Sequence, residues 1–541
     1  MRRAFCAVAF IAFLVIVPRA ANIGLAGAWV DPVGHITAQD ESLYSNAAIG
    51  MVTKGDWLTP HFMGRFALYK PPLMYWGAAL SAKLFGISRL ALRLPSVLFA
   101  ALGAGLVFLW VAEITNWQAG VAAVLLLLSN HLWQTLGALC LTDAILVACF
   151  IGSFYALYSD PWLVTRTGLL GFAAALAGAI LTKGAAGMLP LLVLGLYWIA
   201  APRKYRPALR RICLAAGLAA LFAAPWFVYQ LAVHFRWFWA EHVAVEIFGF
   251  GAGAPPQTSR ELRGLFYLSR LAITDPVLLA VTAAAIPVWF SELRRRDYSA
   301  TLLACWIVAA GATILSWQYR NASYLLPLIP ALAIVGGAYS PFIQRRFAPW
   351  MLACLVAAFV VKSSVPELPW GLAFGKATVQ SLAAPLQTYC EQRRGNELIV
   401  VDVADDLYAS DLPLSRLRYA ALTYSDTGPR YALPFEQMGI VVGLEKFQSL
   451  PKYLPQFRDY LRQWGIDSSE PIATLVALRS PEELAALTRS HPELDFAIPA
   501  RYRNAVALAP HSVASAGPGY FFLIARRRIE PTSPAAWTCA M

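Results

Sequence analysis

The chain has 541 residues, of which 58% are hydrophobic and only 14% charged, with a formal net charge of +13. Soluble domains carry about 25% charged residues, so this deficit excludes a surface bathed throughout by water. The positive balance argues against a nucleic-acid partner: Lys and Arg concentrate in short loops between apolar runs, and no basic domain with interleaved aromatics stands apart.

A bilayer crossing needs about 20 mostly apolar residues. The apolar runs predict about eleven crossings, near 3–18, 92–114, 118–133, 143–158, 168–181, 184–201, 212–233, 276–290, 300–317, 323–339 and 349–361. PPLMYWGAALSAKLFG at 71–86 reads as an interfacial or half-inserted helix. Met1-Arg2-Arg3 before an apolar run also fits a signal peptide. In either case the loop at 19–91 emerges outside.

Charge distribution orients the chain. With the amino terminus in the cytoplasm, the inside loops carry Arg166, then Arg203, Lys204, Arg206, Arg210 and Arg211, then Arg294–Arg296, then Arg345 and Arg346. These loops are short and basic, as the positive-inside rule requires. The opposite loops are longer and mixed, with Asp40, Glu41, Lys70, Glu241, His242 and Glu246. An odd number of crossings then leaves the carboxy-terminal region outside.

The expected domains are a membrane part at 1–365 and an extracytoplasmic α/β domain at 366–541. In the latter, ELIVVDV (397–403), ATLVAL (473–478) and YFFLIARR (520–527) read as strands, and SPEELAALTRSHPEL (480–494) as a helix. Six of the eight cysteines lie in or beside apolar stretches, and none has zinc-site spacing. Cys390 and Cys539 fall in the carboxy-terminal region, where a disulfide is open.

The outer loops hold the residues that can do chemistry. Asp40 and Glu41 open a helix whose apolar side carries Ala48, Ile49, Met51 and Val52. Such a pair either stabilises a helix N-terminus, worth about 0.3–1 kcal/mol, or serves a reaction as a base. Asp143 follows Thr142 at the outer start of a crossing, as an interfacial cap or a site residue. Lys70, Lys183 and Arg320 all fall at outer edges. Each alone can snorkel to headgroups; together they fit a phosphate pocket, with Arg320 able to bind bidentately. Tyr324 reads as a hydroxyl donor or an aromatic-belt residue. The loop at 236–275 contains His242, a candidate substrate contact or an ordinary interfacial residue, then FGFGAGAPP (248–256) and a helix from Ser259. The glycines there lack the strand, the GKS/T ending and the helix of a phosphate-binding loop and read as a hinge or lid.

An ordered series of segments carries a resemblance. They are DE at 40–41, GDWLTP at 55–60, YKPPLMYW at 69–76, KLFG…RLPS at 83–96, TD at 142–143, LTKG at 181–184, PW at 225–226 and YLLPLIPALA at 324–333. The series resembles the GT-C superfamily, nearest the lipid A aminoarabinose transferases and the protein O-mannosyltransferases. The resemblance implies a polytopic helical fold in a bacterial inner membrane. It also implies an inverting glycosyltransferase that takes a sugar from a polyprenyl (undecaprenyl) phosphate carrier to a cell-envelope acceptor, such as lipid A, another glycan, a lipid or a protein. It assigns Asp40 as general base, with Glu41 orienting the loop, and puts a carboxylate at the Asp143 position beside the first. Two such carboxylates would raise one pKa or hold a divalent metal. Lys70, Lys183, Arg320 and Tyr324 would receive the donor phosphate.

Two departures stand out. Aminoarabinose transferases carry Glu before Lys-Pro-Pro, where this chain has Tyr69, and they carry Lys where Arg320 is matched. The acceptor-binding loop domains of the O-mannosyltransferases are not found. The alternative reading is a polytopic transporter or lipid-handling protein without transferase activity. Against it, the charges cluster at one face and no paired halves repeat.

Overall fold

The computed structural model describes residues 2–22, 41, 44–45, 47–52, 55–62, 65–239, 242–243, 246–247, 263–317, 321–343 and 348–364, and the strands of the carboxy-terminal region. The chain divides into two units. The first comprises Met1–Ala20, Leu68–Ala78 and Arg93–Phe374; the second comprises Ala21–Ala67, Ala79–Leu92 and Gly375–Met541.

The first unit is helical. In chain order the helices are α1 (Arg2–Asn22), α2 (Leu73–Phe85), α3 (Arg89–Ile114), α4 (Trp117–Leu128), α5 (His131–Ala138), α6 (Thr142–Ser159), α7 (Arg166–Lys183), α8 (Leu189–Ala200), α9 (Leu209–Val233), α10 (Phe235–Phe238), α11 (Arg263–Thr274), α12 (Pro276–Arg294), α13 (Tyr298–Ser316), α14 (Ile329–Tyr339) and α15 (Ala348–Ser364). Among the described residues, eight helical stretches are long and apolar enough to cross a membrane, or nine with one bent pair counted as a crossing. The chain is therefore a polytopic helical membrane protein.

One of these stretches, Arg166–Ala200, runs 35 residues. A straight helix of that length would reach about 52 Å, well beyond the ~30 Å hydrocarbon core. The chain doubles back instead. The Trp162 indole before α7 donates to the Lys204 carbonyl after α8 at 2.7 Å, so the two ends meet. The reversal is a 3-10 turn, Gly184–Met188. It lies so close to α7 that a side chain on Gly187 would collide with the Ala179 carbonyl.

The expected crossing at 118–133 is corrected by the structure. It is two helices, α4 and α5, bent by 70°. Asn130 causes the break: its side chain caps α5 by accepting from Trp133 N at 2.9 Å and also donates to Asp275 at 2.7 Å. The expected helix from Ser259 is described from Arg263 onward, and the FGFGAGAPP stretch lies outside the described residues.

Packing between helices uses aromatic plates and small residues. Trp110 stacks with Trp306 at 6.2 Å, and Trp306 meets Phe154 at 4.6 Å, all three buried. Gly120 faces Phe108, and Gly337 faces Ala123 and the Ala119 carbonyl, at separations a Cβ would close. Lipid offers no hydrophobic drive between helices, so such close approach carries the association.

In the second unit, Glu41, residues 44–45 and residues 47–52 are helical. Ala48, Ile49 and Met51 are buried, as the apolar side of that helix predicts. The GDW motif has a local cause. Gly55 donates back to Met51 O at a φ of +78°, which glycine adopts without strain. Asp56 then accepts from the backbone of Leu58 and Thr59 at 3.1 and 3.0 Å, an Asx turn. A short hairpin follows, β1 (His61–Phe62) and β2 (Arg65–Phe66). The remaining strands are β3 (Leu398–Val403), β4 (Ile440–Val442), β5 (Ile472–Leu478), β6 (Leu494–Ala497) and β7 (Phe521–Arg527), in a mixed sheet of order β4-β3-β5-β7-β6. β3 runs parallel to β4 and β5, whereas β7 runs antiparallel to β5 and β6. The three strands expected from sequence are β3, β5 and β7. Residues 480–493 of the expected helix, and Cys390 and Cys539, lie outside the described residues, and the last residue of that expected helix, Leu494, opens β6 instead.

Candidate active site

Two ion pairs and one histidine form a cluster in the first unit. Lys183 is the last residue of α7 and Asp143 lies in the first turn of α6. The Lys183 ammonium donates to Asp143 Oδ1 at 2.9 Å, with both side chains about one-fifth exposed. Each charge sits at the helix end whose dipole favours it: the cation at a C-terminus and the carboxylate at an N-terminus. Lys70, just before Pro71-Pro72 and α2, pairs with Glu246.

His242 joins the two pairs. Its Nδ1 lies 3.0 Å from the carbonyl oxygen of Tyr69, the neighbour of Lys70. A carbonyl only accepts, so Nδ1 carries the proton. The same ring packs against Gly184, the neighbour of Lys183. The imidazole is buried, stacked on Phe238 at 4.9 Å and edge-on to Phe227 at 5.7 Å. Burial lowers its pKa below the usual 6.5, against the raising effect of the Tyr69 carbonyl and of Glu246. The neutral ring leaves Nε2 as an acceptor.

Gly184 is demanded twice over. Its φ is +53°, and a Cβ there would lie 2.8 Å from both Cε1 and Nε2 of His242. The LTKG motif therefore ends a helix with a lysine and turns the chain beneath an imidazole.

Asp40 and Arg320 lie outside the described residues. Glu41 belongs to the second unit and is 5% exposed. Tyr324 lies in a 3-10 turn, Ala322–Leu325, edge-on to Trp317 at 5.3 Å. Among the described residues no group of three or more His, Cys, Asp or Glu gathers as a metal would need.

Sequence reasoning missed two features. Glu246 read only as an outer-loop charge, yet it is the partner of Lys70. Its sole signal is the spacing from His242, one helical turn away. A buried network was also missed. Lys362 donates to Ser129 O at 2.6 Å and to Asp275 Oδ1 at 2.9 Å, while Asn130 donates to Asp275 Oδ2. Lys362 is 3% exposed and Asp275 fully buried.

This architecture is the GT-C fold. The chain superposes with a TM-score of 0.63, at 16% identity and over 98% of each chain, on ArnT from Cupriavidus metallidurans bound to undecaprenyl phosphate. The apo form of that protein gives 0.61 at 17% identity.

In sequence the chain resembles the aminoarabinose transferases and the protein mannosyltransferases. Residues 69–229 match the dolichyl-phosphate-mannose-protein mannosyltransferase family. Two undecaprenyl phosphate-alpha-4-amino-4-deoxy-L-arabinose arabinosyl transferases are similar. That of Aeromonas salmonicida is 33% identical over 38% of this chain and 39% of its own length. That of Aeromonas hydrophila is 31% identical over 61% of this chain and 63% of its own length. The match thus spans less than two thirds of either relative.

Proposed function

We propose that this chain is an inverting membrane glycosyltransferase. It takes a sugar from an undecaprenyl-type phosphate carrier and gives it to a cell-envelope acceptor at the outer face of the membrane. The observation that carries this reading is the cluster of Lys70 and Lys183. Each is held by a carboxylate and the two are bridged through His242, and Lys70, Asp143 and Lys183 lie within the residues that match the protein mannosyltransferase family.

The chemistry follows from the donor. Its leaving group is a phosphate, so the bond from the anomeric carbon to the phosphate oxygen breaks with its electron pair on that oxygen. Lys70 and Lys183 stabilise the developing charge, with Arg320 and Tyr324 as further donors. Asp143 and Glu246 fix the two ammonium groups before the donor arrives, which lowers the reorganisation the reaction needs. On the opposite side of the sugar Asp40 takes the proton of the acceptor hydroxyl as its oxygen bonds to the anomeric carbon. One displacement inverts that centre. Glu41 orients the loop that carries Asp40. The neutral His242 holds Tyr69 and Gly184 in register, and Tyr69, in place of the relatives' Glu, contacts the sugar.

The topology that serves this reaction has eleven crossings: α1, α3, the bent α4–α5 pair, α6, α7, α8, α9, α12, α13, the turn at 322–325 with α14, and α15. The amino terminus is cytoplasmic. The loop at 19–91 and the α/β domain at 366–541 face outward, in the periplasm.

The test is reconstitution of the full chain in liposomes with undecaprenyl-phosphate-linked sugars and extracted envelope lipids. Release of undecaprenyl phosphate that depends on acceptor supports the reading. Movement of the lipid between leaflets with no sugar transferred, across the donor panel, contradicts it.

A further inference from the structure

At the opposite end of α7 from Lys183, a cavity of about 840 Å³ opens between the α8–α9 turn and the α12–α13 turn. Its apolar wall includes Ile199, Leu293 and Ala304, and its basic rim consists of Arg203, Arg206 and Arg296. The charges are not equivalent. Arg206 is structural: its guanidinium donates to the carbonyls of Ala201 and Ile199 at 2.8 and 2.9 Å, closing the end of α8. Arg203 and Arg296 are exposed, come from separate turns, and have no carboxylate partner among the described residues. The nearby acids are engaged elsewhere. Glu292 pairs with Arg295 at 2.8 Å, and Asp297 caps α13 through Ala300 N at 2.8 Å.

Topology alone accounts for basic residues in such loops, but not for where Arg296 stands. Its φ is +56°. This is the left-handed region, where a helix end ordinarily uses glycine and another L-residue is disfavoured. An arginine kept at that cost points its charge to a use. Two guanidiniums lining one cavity suit a phosphate, which an arginine binds through paired N–H donors. The adjoining wall is apolar, and Ile199 is two-thirds exposed. A free phosphate would leave that wall in contact with water. A diacyl lipid would cover it with a chain while its headgroup meets the arginines.

We propose that this cavity binds the phosphodiester headgroup of an anionic membrane phospholipid, with an acyl chain lying along Ile199 and Leu293. The site is separate from the Lys70–Lys183 cluster and does not depend on the reaction assigned to it. Basic clefts between membrane helices on the side of arginine-rich loops hold anionic headgroups by this same chemistry.

The test is the melting temperature of the purified, delipidated full chain in neutral detergent. Phosphatidylglycerol, phosphatidylcholine and inorganic phosphate are added separately. The comparison variant is R203Q/R296G, because glycine suits the Arg296 backbone and removes the charge without straining the fold. The proposal predicts that phosphatidylglycerol raises the melting temperature of the native chain well above the other two additions. It predicts less than half that rise in the variant. An equal rise in native chain and variant would overturn it, as would no rise at all. A rise reproduced by inorganic phosphate would overturn the lipid assignment.

Discussion

At Gly184 one hydrogen in place of a methyl group decides how two charged pairs meet. The φ of +53° and the 2.8 Å approach to the His242 ring leave no room for a side chain. Gly184→Ala is expected to cost about 1–3 kcal/mol and to displace Lys183, lowering both the melting temperature and the transfer rate. His242 adds a pH dependence. Its pKa is lowered in the fold, so between that value and the unfolded 6.5 the unfolded chain binds more protons. The stabilisation is complete above 6.5 and is lost as pH falls through the folded value. Melting curves should therefore show the native chain losing more stability on acidification than His242→Asn, whose amide can still donate to the Tyr69 carbonyl. The positions of Asp143 and Lys183 at helix ends were legible in the sequence, although their pairing was not. Nor was the role of Glu246, since its partner lies 176 residues away.

At the scale of elements, the crossings were legible because a helix in lipid must be apolar along its length. The runs near 143–158, 168–181 and 300–317 correspond to α6, α7 and α13 within a few residues. The break between α4 and α5 was not legible. Its cause, Asn130, meets a carboxylate 145 positions further on. Lys362 hid in the same way, at the end of an apolar run, as the cation that neutralises Asp275. Burial raises the Asp275 pKa, and Lys362, acting by charge and by hydrogen bond, opposes that rise. Lys362→Met leaves a buried carboxylate without its cation, a change expected to cost about 3–5 kcal/mol. The double variant Lys362→Met/Asp275→Asn should recover a large part of that loss. Unfolding measured in detergent gives the comparison, and a double variant no better than the single would show that the pair is not coupled.

At the scale of the whole molecule, the GT-C fold was legible from the order of its short motifs, each weak alone. What sequence alone could not supply was the pairing within the site, which depends on how helices pack. The α/β region shows the same division: β3, β5 and β7 announce themselves as apolar runs. β4 and β6 are too short, at three and four residues, to stand out by pattern. The account turns on Asp40, whose role rests on the reaction a phosphate-linked donor requires. The most direct measurement is the transfer rate of Asp40→Asn in liposomes, with its melting temperature checked against the native chain. A general base contributes about 10²–10⁴-fold, so the account predicts a loss of at least about 100-fold in a protein that melts normally. A rate within a few-fold of the native chain would contradict it.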